Sequence, residues 1–296
     1  MKTFITRTLT ALVFVAVMLA GILWNEGSFI LLFTLISLGA LVEYFKLVRL
    51  MENGYDKGSK WQYIGALCAN VAIIILFVGG QVLTLFPIHA LGILLTILFL
   101  LVLPLGDMII TQRLDVKNLR LTLLGLLYVS LPFALLVWMR THLGVENARP
   151  GTASAHAPGW LIPLLLILFI WINDTMAYIV GSLIGHTPFS KISPKKTIEG
   201  TVGGMVLAVA VAGVYGYYWG QQWLALQHWL VLAGIAAIAG TYGDLLESKL
   251  KRMAGVKDSG RIMPGHGGFL DRFDSLLLAA PFAWIYVYFF IHNFVR

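Results

Sequence analysis

Long apolar runs, broken by short polar and charged stretches, repeat from one end of the chain to the other. They fall at about residues 8–24, 28–45, 61–79, 88–105, 119–139, 160–182, 201–219, 223–245 and 273–294. Each is close to the roughly 20 residues that a helix needs to cross a bilayer. The pattern predicts an all-α, polytopic integral membrane protein with about nine transmembrane helices. No block between the runs reads as a soluble domain, and there is no internal repeat or low-complexity tract.

Composition agrees with the pattern. Hydrophobic residues make up 59% of the 296 positions and charged residues 12%, about half the charged share of a soluble domain. The charges are also unevenly placed. The N-terminus and the second, fourth, sixth and eighth loops, with Arg120 at the start of the fifth run, hold 18 of the 21 Lys and Arg residues. The positive-inside rule makes that side, and with it the N-terminus, cytoplasmic. The net charge of +7 is therefore mainly topology and requires no nucleic acid, although a basic face also attracts anionic lipid and nucleotide. The basic start and apolar centre of "MKTFITRTLTALVFVAVMLAGILW" resemble a signal peptide; with further spans behind it, an uncleaved first helix is expected. Cys68 is the only cysteine, so no intrachain disulfide can form. Two regions follow. Residues 1–159 hold about five spans and end in the Gly-, Ala- and Pro-rich non-cytoplasmic loop "RTHLGVENARPGTASAHAPG". Residues 160–296 hold about four spans and two basic cytoplasmic loops, and are the expected catalytic region.

Acidic residues gather at one depth. The eighth span runs inward and ends in "GTYGDLLESK", which places Asp244 and Glu247 at the cytoplasmic side. The ninth begins there, with Asp271 and Asp274 three residues apart on one helical face. Asp174 lies about eight residues before the end of the sixth span, roughly 12 Å below the interface. A lipid-facing charge at that depth costs at least ~2.5 kcal/mol, so a polar cavity or a partner is expected. Taken singly, these acids could be helix caps, loop ion pairs or helix–helix contacts. Their common depth and side favour a joint role, and grouped carboxylates suit a hard divalent cation such as Mg²⁺. The neighbouring "MPGHGGF" can expose backbone N–H groups as an anion cradle. Lys257, Arg261 and Arg272 flank it, while "KISPKKTIEGTVGG" adds Lys195 and Lys196. Carboxylates interleaved with bases and glycines suit a metal bound to a polyphosphate.

The stretch "SKLKRMAGVKDSGRIMPGHGGFLDRFD" closely resembles the signature of the phosphatidate cytidylyltransferases (CDP-diacylglycerol synthases). Ser248, Lys251, Arg252, Lys257, Asp258, Gly260, Pro264, His266, Gly267, Gly268, Asp271, Arg272 and Asp274 stand where that pattern expects them. Met263 departs from it, as an apolar residue of similar size. The segment "NDTMAYIVGSLIGHTPFSKISPKKTIEGTVGG" is also similar to the family, so the resemblance is strong over roughly 170–275. It implies that CTP and phosphatidate react to CDP-diacylglycerol and pyrophosphate at a cytosol-facing site; the absence of a transit peptide and the compact length make a bacterial plasma (inner) membrane the expected location. The resemblance also implies Mg²⁺, and a second cation, such as monovalent K⁺, near the same acids. On this resemblance Asp244, Asp271 and Asp274 are the expected metal ligands and, with Lys257 and His266, the expected catalytic group. Asn173, Asp174, Lys195, Lys196, Thr197, Glu199, Arg261, Gly267, Gly268 and Arg272 are the expected substrate contacts. The implied partners are CTP, phosphatidate and membrane lipids, without nucleic acid, and a homodimer is left open. A CDP-alcohol phosphotransferase would also gather Asp residues on Mg²⁺, but its Asp-Gly-x-x-Ala-Arg motif does not occur here. An ion-coupled transporter would carry charges across the bilayer midplane, whereas nearly all these acids lie at one face.

Overall fold

The computed structural model describes residues 2–51, 60–78, 88–112, 115–143, 157–190, 192–260 and 267–292. Among the described residues the chain forms nine helical rods and no strand. The first four are α1 (Lys2–Leu23), α2 (Glu26–Met51), α3 (Lys60–Leu76) and α4 (Ile88–Thr111). Next, α5 (Val116–Gly125) and α6 (Leu131–His142) join through a π-turn at Leu126–Ser130 into one rod. α7 covers Leu161–Ile184, and α8 (Ile198–Tyr215) runs on through a π-turn to Gly220. α9 covers Leu226–Met253, and α10 (Leu270–Tyr286) also ends in a π-turn.

Six rods are long and apolar enough to cross a bilayer: Glu26–Met51, Val116–His142, Leu161–Ile184, Ile198–Gly220, Leu226–Met253 and Leu270–Ile291. The chain is therefore a multi-pass membrane protein. The other three expected spans correspond to the shorter apolar helices Thr8–Leu23, Gln62–Leu76 and Ala90–Gly106. The helix ends differ from the apolar boundaries in an informative way. α9 was expected to stop near 245, yet it continues to Met253 through "LLESKLKR". Leu, Glu, Lys and Arg are good helix formers, so hydropathy marks where lipid contact ends, not where the helix ends.

The rods belong to two compact units that interleave in sequence. One comprises Met1–Trp138 with Leu250–Arg272, the other Met139–Lys249 with Phe273–Arg296. In the first unit Phe33 packs against Phe29 and Phe133, with ring centroids 4.5 and 6.0 Å away. Between α2 and α3, the Ser37 hydroxyl donates to Asn70 Oδ1, a polar tie of the kind that links helices in apolar surroundings.

In the second unit, Trp229 is fully buried against Phe169 and Tyr215. The α8 end near it exposes Tyr217, Tyr218 and Trp219, an aromatic belt suited to a membrane–water boundary. The other end of α8 adjoins Lys195 and Lys196, so its two ends differ in kind. α8 crosses α7 closely because the facing residues are small. A Cβ on Gly204 would lie 2.8 Å from the backbone N of Ala177 and from the carbonyl of Asn173, a small-residue contact typical of membrane helices. Gly204→Val is therefore expected to lower stability by about 1–3 kcal/mol through overpacking. Thermal unfolding in detergent checks this, and an unchanged Tm would refute the close crossing.

Candidate functional site

In the second unit, α7, α8, α9 and the loop residues 192–197 surround a cavity of about 550 Å³. Asn173 and Asp174 reach it from α7, Lys195, Lys196 and Thr197 from the loop, and Thr241 and Asp244 from α9. The loop is held by its own backbone. Phe189 N–H donates to the Lys196 carbonyl at 2.7 Å and Ile198 N–H to the Thr187 carbonyl at 2.9 Å. The Thr197 side chain caps α8 by accepting from Gly200 N–H at 3.1 Å. Glu199, in the first turn, accepts from His186 and Thr187 N–H at 3.2 Å. Of the two residues expected at the substrate, Thr197 lines the cavity as well as capping the helix. The Glu199 carboxylate clamps the loop that carries Lys195 and Lys196.

Within this unit the structure brings Lys196, expected at a phosphate, against Asp244, expected at a metal. Lys196 Nζ forms an ion pair with Asp244 Oδ2, the two side chains being 29% and 25% exposed. Ser248, one turn further along α9, donates to Asp244 Oδ1 at 3.2 Å. Asp174 lies ten residues before the end of α7, about 15 Å along the axis at 1.5 Å per residue. It lines the cavity, as its depth requires, and accepts a long hydrogen bond from Asn173 Nδ2 at 3.4 Å. Asn173 is 3% exposed, and its Oδ1 has no hydrogen-bond partner. That leaves an acceptor for a donor on a bound molecule or for water. α10 approaches α9 at Gly243, where a Cβ would meet the Asp274 carbonyl at 2.6 Å. Asp274 thus lies beside the α9 turn that bears Asp244.

Asp271 belongs to the first unit, where it is almost enclosed by donors. Lys251 Nζ pairs with its Oδ1 at 2.7 Å, the two side chains being 12% and 10% exposed. Its Oδ2 accepts from Ser259 N–H and Oγ, each at 2.9 Å, and from Gly268 N–H at 2.8 Å. The Gly268 amide, expected to help cradle a phosphate, is thus engaged by the chain's own carboxylate. Gly267 adopts φ +84°, in the left-handed region that glycine enters without strain, where the loop turns into α10. Lys257 and Arg272 are exposed. Arg261 and His266 lie outside the described residues.

A second carboxylate in this unit was not anticipated from the sequence. Glu43 on α2 is 3% exposed and accepts from Ser259 Oγ at 2.9 Å, Phe269 N–H at 3.1 Å and Leu270 N–H at 2.8 Å. A Cβ on either Gly260 or Gly268 would collide with it. The available signal was simple: Glu43 is the one charged residue in the run 28–45, and a charge within a span needs a partner.

In neither unit do the described residues gather three or more His, Cys, Asp or Glu side chains at metal-holding distance. The donor chemistry nevertheless fits a hard cation. Mg²⁺ typically takes only one or two carboxylates and completes its shell with water and phosphate oxygens. Each unit separately offers such oxygens beside a lysine suited to phosphate, Asp271 in the first and Asp244 in the second.

A family model described as the cytidylyltransferase family matches residues 5–290. The chain is also similar to proteins named phosphatidate cytidylyltransferase. With that of Synechocystis sp. it is 38% identical over 191 residues, 58% of this chain and 63% of that protein. With that of Staphylococcus saprophyticus it is 47% identical over 119 residues, 40% of this chain and 45% of that protein. With that of Staphylococcus aureus it is 46% identical over 122 residues, again 40% and 45%. The matched stretch thus spans about half to two thirds of the length of these relatives.

Proposed function

The chain belongs to the cytidylyltransferase family, and from that membership we propose that it transfers the cytidylyl group of CTP to phosphatidate, giving CDP-diacylglycerol and pyrophosphate. One structural observation supports this most directly: the cavity beside the polar end of α8 is lined by both lysines and acids, Lys195 and Lys196 with Asp174 and Asp244. A nucleotide needs the cations, and a polyphosphate-bound metal needs the acids.

In this reaction a phosphate oxygen of the lipid forms a bond to the α-phosphorus of CTP. The bond from that phosphorus to the bridging oxygen breaks, and pyrophosphate leaves with the electron pair. The nucleophile arrives as an anion, so the chain needs no strong base to remove a proton. Its task is to bring anions together and to stabilise charge on the transferring group and the leaving group. Lys195 and Lys196 reach the cavity from a loop fixed by Glu199 and Thr197 and would hold phosphate oxygens there. Lys257, Arg261 and Arg272 would add positive charge along the 248–274 segment, and His266 a hydrogen bond to phosphate. Asn173 and Asp174 offer acceptors on the cavity wall.

The residues proposed to hold Mg²⁺ are Asp244 and Asp271, with Asp274 as a ligand or as their support; a monovalent cation such as K⁺ is proposed near the same acids. When bound, the divalent ion would supply charge neutralisation of the phosphates. The polar ends of α8 and α9 are proposed to face the cytosol from the bacterial inner membrane, where CTP enters from water and phosphatidate from the bilayer. Purified protein incubated with labelled CTP, phosphatidate and Mg²⁺ is expected to yield a labelled lipid that migrates as CDP-diacylglycerol. Absence of that product from folded protein would sink the proposal, as would label transfer from a CDP-alcohol donor instead.

A further inference from the structure

We infer that Glu43 is a positioning residue: through Ser259 and the first amides of α10, it sets the orientation in which Asp271 presents its carboxylate. The inference rests on the proposed function, in which Asp271 is a metal ligand, and it adds a residue from α2, far from the signature segment in sequence.

The geometry carries it. Glu43 is buried as the one charged residue of the apolar run 28–45 in α2, where an uncompensated carboxylate is costly. All three of its hydrogen bonds named above come from the segment that also builds Asp271's surroundings. Phe269 and Leu270 N–H are among the first amides of α10, which lack partners within the helix. Binding them fixes where α10 begins, one residue before Asp271. Ser259 Oγ stands 2.9 Å from both Glu43 Oε2 and Asp271 Oδ2. A hydroxyl carries one proton, so the two carboxylates compete for a single donor, and a change at one alters what the other receives. Gly260 and Gly268, where any Cβ would meet the Glu43 carboxylate, leave room for this arrangement. Among the described residues no lysine, arginine or histidine pairs with Glu43. Its partners are a hydroxyl and two amides, which orient rather than neutralise.

Hydrogen-bonded partners that support a metal-binding carboxylate typically contribute 10- to 100-fold in metal affinity or activity. The test uses the full chain in detergent, with Mn²⁺ binding read by electron paramagnetic resonance and turnover of CTP and phosphatidate measured in parallel. Glu43→Gln sets an amide N–H₂ against N–H or O–H donors. Ser259→Ala removes the bridge but leaves Glu43 its two α10 amides, which guards against a variant that merely fails to fold. Both are expected to weaken Mn²⁺ binding by about 10- to 100-fold and to lower kcat more than they raise KM for CTP. Ser259→Thr, which keeps the hydroxyl, is expected to stay near wild type. Wild-type Mn²⁺ affinity and kcat in folded Glu43→Gln and Ser259→Ala would overturn the role given to Glu43. Failure of the wild-type chain to bind Mn²⁺ or to make CDP-diacylglycerol would overturn the functional reading beneath it instead.

Discussion

Asp271→Asn is expected to lower CDP-diacylglycerol formation by about 10³-fold or more while the protein stays helical in detergent. The size follows from the work assigned to the residue: in a reaction run almost wholly on charge stabilisation, removing one preorganised electrostatic group costs about 10²–10³, and loss of a metal ligand adds to it. The substitution is not silent for stability. Asp271 and Lys251 are only 10% and 12% exposed, and an amide cannot accept at both ends from Lys251, Ser259 and Gly268. A loss of about 1–3 kcal/mol is expected, the usual cost of a buried group left without its charged hydrogen bond. Circular dichroism and the Tm measure that part, and product formation measures the other. Wild-type turnover by Asp271→Asn would remove it from the ligand set.

Lys196→Met is expected to separate the two effects more cleanly. Its ion pair with Asp244 is a quarter or more exposed on each side, and such pairs contribute about 0–1 kcal/mol to stability. The Tm should therefore move little. Turnover should fall by about 10²–10³, because the ammonium proposed to hold a phosphate oxygen would be gone. KM for CTP is expected to rise if Lys196 meets the nucleotide already in the ground state, and kcat to fall if it acts mainly as charge develops. Activity within a few-fold of wild type would show that Lys196 serves only to balance Asp244. The contrast with Asp271 comes from exposure: similar charges, one pair almost enclosed and one open to a cavity, should differ in stability effect even when both abolish turnover.

The helical membrane architecture was legible from residues alone because lipid imposes one rule at every position of a span. The apolar runs that predicted spans at 160–182 and 201–219 became α7 and α8 almost unchanged. Boundaries were legible only where chemistry and conformation change together. At α8 the cap Thr197 and the apolar run begin side by side, and the start was placed within three residues. At the end of α9 a helix-forming charged stretch follows the apolar one, and the end was missed by eight. The site was legible as an inventory: Asp174, Lys195, Lys196 and Asp244 were all named, and they line one cavity. The individual duties of Glu199 and Gly268 were not legible, since any carboxylate or glycine amide near a basic loop suits phosphate on paper. Each found a partner within the chain first.

Sequence by itself determined that the protein is a helical membrane protein with acids and bases concentrated at the ends of its last helices, because solvent and hydrocarbon sort residue types without regard to fold. It also determined the family, through fixed spacings in a contiguous stretch. Only the tertiary structure decided which polar groups hold one another: that Glu199 fastens a loop, that Lys196 faces Asp244, and that Glu43 reaches Ser259 and the start of α10 from 216 residues away along the chain. Hydrogen bonds act over about 3 Å, and no linear pattern specifies which distant residues a fold will bring that close.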